Sequence, residues 1–387
     1  MEIVGTIRAF AAGIAAFSAL TLPAFADIKA YNAAVLRGDY AAATTEAETV
    51  WTTFDKARPE TAATAREFAW TAMRAGQSEK ARVYAKFLVE EGSRLTTPDD
   101  DPLMAKLLLQ WTELGKEPAP AAATTLSDTL KSWAASNNAA SRVAAVAAAQ
   151  LYAIEWKMGK WEAVRRDAPI AASLAARLGK EGMVIEERAK VDAAAAQFLD
   201  DKKIDAWLAL ADVHDALMDR MGPPVPGEKV DDLDAIDMRI HAWLEAMSAY
   251  FRAGLGSLNT SIARKRQYEQ IESREKTLKN RCPEEDCRLV EAGAIPQCSA
   301  TWDQTPPLNY PANALFRGMV GATILEMTTD EKGAVTAYKV LAAVPSDTFP
   351  TATTKAVQKW SLKRKKDAVE PCTLAGSRRL HVIFQMP

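Results

Sequence analysis

Four glycines constrain the first two thirds of this chain more than any other feature. Gly38, Gly76, Gly115 and Gly159 fall 38, 39 and 44 residues apart, in a stretch dominated by alanine, leucine, glutamate and lysine. Those residues form helix readily, and glycine readily ends one. Three of the glycines share a local pattern. Arg37-Gly38-Asp39-Tyr40 is followed by Ala43, Gly76-Gln77-Ser78 by Ala81, and Gly159-Lys160-Trp161 by Val164. Asp201-Lys202-Lys203 with Ala206 reads as a degenerate further copy, 42 residues after Gly159. Between the turns, apolar residues recur at helical spacing. Ala65, Phe68, Ala69, Ala72 and Met73 mark one stripe; Ala81, Tyr84, Ala85 and Leu88 mark the next. Strand-like alternation is scarce.

A glycine turn followed by a small residue resembles the turn of a tetratricopeptide repeat, where the small residue lets the second helix pack close. The spacing here exceeds that family's usual ~34 residues. The resemblance implies an α-solenoid of helical hairpins over residues 27–280, with an ordinary helical bundle as the competing reading. Solenoids present concave surfaces to other proteins. Eight of the ten tryptophans lie in this stretch (Trp51, Trp70, Trp111, Trp133, Trp156, Trp161, Trp207 and Trp243) and read as core between helices. Gly222-Pro223-Pro224-Val225-Pro226-Gly227 reads as an exposed loop. Asp231, Asp232, Asp234 and Asp237 after it read as a helix start. His214 and His241 lie inside helical patterns and read as structural, with no metal ligand set expected. Ser261–Asn280 reads as a solvated helical connector carrying the pairs Glu272/Lys276 and Glu275/Lys279.

The N-terminus has the form of an export signal over residues 1–26. Arg8 precedes the apolar run Ala9–Leu22, followed by Pro23 and the small-residue site Ala24-Phe25-Ala26. Fourteen apolar residues are short for a membrane span, which needs ~20. An uncleaved inner-membrane anchor is the alternative. The lack of a twin-arginine pair favours general secretion. Export bears on the cysteines. Cys282, Cys287, Cys298 and Cys372 are even in number, which in an oxidising compartment favours two disulfides with three possible connectivities. A zinc site is the competing reading, but the four residues between Cys282 and Cys287 depart from the usual knuckle.

The pattern changes near Cys298. Thr305–Pro311 is rich in proline and extended. Ala312–Arg317 reads as a short helix and Met319–Thr328 as a strand. Asp330-Glu331-Lys332-Gly333 forms a hairpin turn, and Ala334–Val344 a second strand. Thr351–Trp360 is helical, and Leu380–Gln385 alternates as a third strand. This order suits a three-stranded antiparallel sheet with two helices. Tyr310-Pro311, the short helix through Ala314, Arg317-Gly318, Val320, the Asp330/Gly333 hairpin, Trp360 and the closing strand to Phe384 together resemble the C-terminal domain of TonB-type energy transducers. The resemblance covers residues 303–387, after a cysteine-containing linker at 281–302. The chain departs from that family after Trp360, where Ser361-Leu362 and the basic run Lys363–Lys366 stand instead of an aromatic residue and a proline. If the segment entering this domain lies beside the one before its last strand, Cys298 pairs with Cys372 and Cys282 with Cys287. A Cys298–Cys372 bridge would pin the last strand and close a loop worth about 4 kcal/mol in chain entropy.

What the resemblance implies is binding by strand addition. An edge strand has unpaired N–H and C=O groups that a guest strand can satisfy. The expected partner is an envelope protein, such as a segment of an outer-membrane receptor. The expected binding residues are Tyr310, Pro311, Leu380, His381, Val382, Ile383 and Phe384. Lys363–Lys366, Arg378 and Arg379 read as a solvated basic surface before an acidic-partner site. The expected protein is a periplasmic adaptor without cofactor; the alternative is an inner-membrane-anchored transducer. Against the alternative stand the absence of a histidine before His214 and of a long Pro-rich spacer. Neither HExxH, GxSxG, a Walker loop nor GxGxxG in a strand-to-helix setting is present, so an enzyme is not expected. With 48 basic and 50 acidic residues, no basic field invites nucleic acid.

Overall fold

The computed structural model describes residues 28–384, except 59, 92–101, 116–118, 136–139, 202–203, 223–231, 254–261, 280–296, 306, 318, 346–347 and 369–370. Residues 1–26, Cys282, Cys287 and most of the proline-rich loop after Gly222 therefore lie outside the described residues. The described residues form two compact units that divide between Ala196 and Gln197.

The first unit is helical: α1 (Ile28–Leu36), α2 (Tyr40–Thr53), α3 (Glu60–Arg74), α4 (Ser78–Glu91), α5 (Pro102–Thr112), α6 (Pro120–Ala135), α7 (Arg142–Lys157), α8 (Trp161–Ala176) and the start of α9 (Met183–Asp201). The glycine pattern is the cause of the turns. Gly38, Gly76, Gly115 and Gly159 have φ of +73°, +71°, +49° and +68°, a conformation that costs glycine little. At three of them the chain closes the helix with paired bonds. The Gly76 amide donates to the Met73 carbonyl and the Gln77 amide to the Ala72 carbonyl; Gly38/Asp39 and Gly159/Lys160 repeat the arrangement. The small residues after those turns, Ala43, Ala81 and Val164, are fully buried. Each bears against a neighbouring helix where a larger side chain would hold the backbones apart.

Helices pack on the next in sequence, and α3 on α5, α5 on α7 and α6 on α8 also meet. Contact with near neighbours alone is the signature of a solenoid. Its first hairpins share an aromatic cluster. Trp51 meets Tyr84 and Phe87 edge-on at 5.2 and 5.0 Å, and Phe68 meets Tyr31 and Tyr84 at 4.9 and 5.5 Å. Trp111 is buried, and its indole N–H donates to Gln150 Oε1 at 2.8 Å. Trp70, Trp156 and Trp161 are only partly buried against the same core.

The second unit holds α10 (Ile204–Met221), α11 (Asp232–Ala253), α12 (Ile262–Glu275), β1 (Ala300–Gln304), α13 (Ala312–Phe316), β2 (Gly321–Thr329), β3 (Val335–Val344), α14 (Pro350–Val357), β4 (Ser361–Arg364) and β5 (Gly376–Phe384). The antiparallel sheet runs β3-β2-β5. One face of it, with Leu325, Met327, Val382 and Phe384, closes on Ala314, Phe349, Ala356, Val357 and Trp360. Helix α11 packs on the other face, against β2, β3 and β5, and on α10. Two sides of α11 are buried: Leu233, Ile236, Ile240, Trp243, Leu244, Met247 and Phe251 line one, and Met238, Ala242, Ala246 and Ala249 the other. A helix with two apolar faces needs cover on both, which leaves Asp237, His241 and Glu245 on a polar flank. The expected acidic helix start is present, with Asp232 and Asp234 in its first turn.

Three features differ from the sequence expectation. Ser361–Arg364, which takes in the first half of the basic run Lys363–Lys366 read as solvated, is a short strand paired antiparallel with β1, and Lys363 meets Asp303 at 3.2 Å. The partner strand β1 is the second, unexpected from sequence; its Trp302 packs edge-on against Trp360 at 5.0 Å, which holds this ribbon to the core. The third difference is α12, which is not a free connector. Ile271 is buried, and Arg274 reaches Asp212 and Asp215. The helix ends at Glu275, so the spacing behind a Glu275/Lys279 pair is lost. Lys279 instead reaches Asp219 at 2.6 Å, and Glu275 accepts a hydrogen bond from Ser248. The hairpin turn is as expected. Gly333 has φ +81°, its amide donates to the Asp330 carbonyl, and an added Cβ would strike the Leu362 carbonyl oxygen.

The solenoid also buries a carboxyl pair. Glu155 on α7 and Asp167 on α8 lie beside each other, with Arg166 reaching both and Ser127 donating to Asp167 at 2.5 Å. Burial, then the neighbouring Asp167, push the Glu155 carboxyl up to about 8 from 4.5. The folded chain therefore holds a proton at neutral pH that the unfolded chain has released. Stability must fall as pH rises through the window from about 4.5 to about 8, and level off above it. The expected loss is on the order of a few kcal/mol, and Glu155→Gln should flatten it. Urea midpoints of both proteins across that window check this; parallel slopes would contradict the assignment.

Candidate functional site

The strand closest to the expected binding edge is β5. Its alternation decides what each residue offers. Leu380, Val382 and Phe384 turn their side chains toward the α14 core, whereas Arg379, His381 and Ile383 are exposed. Main-chain direction follows from two contacts. The Ser377 carbonyl accepts from the Gln297 side-chain amide at 3.1 Å, on the side away from β2. Thr336 Oγ1 of β3 donates to the Thr328 carbonyl, the residue opposite Ser377 on β2, so that residue too points away from β5. Opposed residues of an antiparallel pair either bond each other or both point outward. Ser377, Arg379, His381 and Ile383 therefore send their N–H and C=O groups to the outer edge. Among the described residues no strand pairs with that edge.

The edge is closed at one end and framed at the other. Cys298 and Cys372 form a disulfide with Cα atoms 4.9 Å apart, as the pairing expected for them required. It holds the 297–299 segment beside the start of β5. There the Cys298 amide donates to the Thr373 carbonyl at 2.8 Å and Arg378 donates to the Cys298 carbonyl at 3.2 Å. The far end is backed by an aromatic cluster. Tyr310 packs edge-on against Phe349 and Phe384 at 5.7 and 5.8 Å, and its hydroxyl donates to the Met319 carbonyl. Burial pushes the Tyr310 phenol up from its ordinary value. Tyr310 and Pro311 thus lead into α13, where Phe316 is 94% exposed beside the half-exposed Leu315.

The expected residues divide by role. Leu380, Val382 and Phe384 contribute core packing and strand backbone, and Tyr310 braces the strand end. Ile383 keeps an exposed side chain. His381 is tied down: its Nδ1 lies 2.5 Å from Glu245 Oε1 on α11. Of the basic residues, Arg364 donates to the Cys372 carbonyl and Arg378 to the Cys298 carbonyl, so both brace the disulfide segment. Sequence reasoning did not identify Gln297, which shields Ser377, or Glu245, which anchors His381. Glu245 had a legible signal. Asp237, His241 and Glu245 recur every four residues and so share one face of α11.

Residues 306–381 match the family described as Gram-negative bacterial TonB protein C-terminal. The match spans the β2-β3-α14-β5 sheet and the Tyr310-Pro311 approach. No curated protein matches the chain. No solved structure matches it either. Among the described residues no helix is long and apolar enough to cross a membrane.

The disulfide closes a loop of 74 residues onto the strand that the family match ends in. Replacing Cys298 and Cys372 together by serine should lower the unfolding free energy by about 2–4 kcal/mol. Chemical denaturation of the oxidised protein and of the double variant measures the difference; equal midpoints would mean the bridge constrains nothing.

Proposed function

We propose that this chain, as carrier of a TonB-type C-terminal domain, is a binding protein of the bacterial envelope whose partner adds a strand to the outer edge of β5. The outward main-chain groups of Arg379, His381 and Ile383, with which no strand pairs among the described residues, support this reading. A guest strand laid there would gain backbone hydrogen bonds, and the exposed Ile383 side chain offers apolar contact near its end. The most direct partner is an extended periplasmic segment of an outer-membrane receptor. Leu380, Val382 and Phe384 serve by holding the edge flat, and Tyr310 and Pro311 by bracing its end. The helical repeats before the domain would hold a second protein. Binding, not catalysis, is the activity proposed, and no cofactor is part of it.

Residues 1–26 fit an export signal, which would place the mature protein in the periplasm. Retained as an anchor, the same segment would make the chain an energy transducer. Mass spectrometry of the native N-terminus separates the two: a chain starting at Asp27 is the adaptor, and one starting at Met1 in the inner membrane is the transducer.

Strand addition makes a demand that side-chain recognition does not. Arg379→Pro removes one outward N–H and no ladder bond to β2, a change an edge strand tolerates. It should weaken binding of a synthetic receptor N-terminal peptide at least about 10-fold, whereas Arg379→Ala should stay within about 3-fold. Calorimetric titration of the three proteins checks this. Equal loss in the alanine and proline variants would replace strand addition by charge recognition.

A further inference from the structure

The three histidines of the whole sequence, His214, His241 and His381, converge on one flank of α11. Two of them meet a carboxylate in a way that packing alone leaves unsatisfied. Asp237 Oδ1 lies 3.4 Å from His214 Nε2 and 3.5 Å from His241 Nε2. Yet His214 Nε2 and Asp237 Oδ1 are both buried and neither makes a hydrogen bond. The His214 side chain is 1% exposed, so its Nε2 has no recourse to water. A buried polar atom left this way costs about 1–3 kcal/mol, and native structures rarely keep two side by side.

The distances carry chemical information. One ligand atom from each of His214, Asp237 and His241 lies within 4.8 Å of the others. Bonds of about 2.0–2.1 Å at tetrahedral angles put neighbouring ligand atoms about 3.4 Å apart. Octahedral cis ligands at similar bond lengths would lie closer, at about 3.0 Å. The two separations from Asp237 Oδ1 fit the tetrahedron, and the histidine nitrogens, within 4.8 Å of each other, would close by up to about 1.4 Å around an ion. Asp237 and His241 come from successive turns of α11 and His214 from the facing α10, so the donors approach from two rigid elements.

The surroundings of His214 supply the support that metal ligands need. Its other nitrogen, Nδ1, faces Asp215 Oδ1 at 3.4 Å. A carboxylate there favours the tautomer that leaves Nε2 free to ligate. Asp215 is itself fixed, by the Arg274 guanidinium at 2.8 Å and the Lys279 amide at 2.9 Å. The Asp237 and His241 side chains are partly exposed, which leaves a path for an ion to enter.

We propose that His214, Asp237 and His241 bind a zinc ion, with water as the fourth ligand. Binding would tie α10 to α11, the helix on which the β3-β2-β5 sheet rests. Glu245 and His381 lie just beyond the site: His381 Nδ1 holds Glu245 Oε1, and neither residue belongs to the three whose ligand atoms converge.

The test uses the full chain, oxidised and stripped of metal, titrated with zinc against a colorimetric chelator. One zinc per chain is expected, with a thermal midpoint that rises on loading. Cobalt in place of zinc should give the intense visible bands of tetrahedral Co2+. His241→Ala and Asp237→Asn should each weaken zinc binding at least about 10-fold and remove the thermal shift. Both positions are partly exposed, so the variants should fold; Glu245→Gln should bind zinc as the parent does. No zinc above background, unchanged affinity in both variants, or the weak bands of octahedral cobalt would each overturn the assignment. Zinc lost only on replacing Cys282 and Cys287 would move the ion elsewhere and overturn it too.

Discussion

Helix α11 has to be buried twice. On one side it packs on α10, whose Trp207 indole N–H reaches the Leu244 carbonyl and the Ser248 hydroxyl; on the other it covers the face of the sheet turned away from α14. Each large apolar side chain buried there contributes roughly 1.5–3 kcal/mol. A three-stranded sheet with one helical layer would leave its second face to water. Here β2 is buried along almost its whole length, with Ala322 and Ile324 covered as fully as Leu325 and Met327. The sheet and the last helices before it therefore fold as one core, and the position of β5 is set from both faces.

That dependence explains what the sequence disclosed and what it hid. Local signals were legible. The helix-ending glycines, the Asp330/Gly333 hairpin and the alternation of Leu380, Val382 and Phe384 each specify backbone conformation within a few residues. The Cys298–Cys372 pairing was readable because two short segments of a known domain type had to lie close. The β1–β4 ribbon was not readable. Its strand Ser361–Arg364 has one buried apolar residue, Leu362, and its charges masked any period. Nor was the docking of α11 on the sheet. A helix with two apolar faces says that it is buried but not against what. For the same reason the surroundings of His214 were not legible: Asp215 aside, its partners sit on a different helix.

The edge of β5 combines rigidity and vacancy. Its core-facing side chains lock into the Tyr310–Phe349–Phe384 cluster, its first residues are fastened by the disulfide segment, and His381 is tied to Glu245. What stays open is backbone. An edge so fixed loses little conformational entropy when another chain joins it, so that ordering cost falls on the guest.

The Gln297 side chain on the Ser377 carbonyl has a consequence for register. It caps the edge on one side, so in the proposed strand addition a guest would be stopped at Ser377, short of the start of β5. Three outward-facing residues remain, Arg379, His381 and Ile383, over about 17 Å of strand. A berth that short would admit a segment of only five or six residues and hold it at one offset. It would work as a ruler: too few main-chain bonds for permanent capture, but enough to tell one alignment from the next.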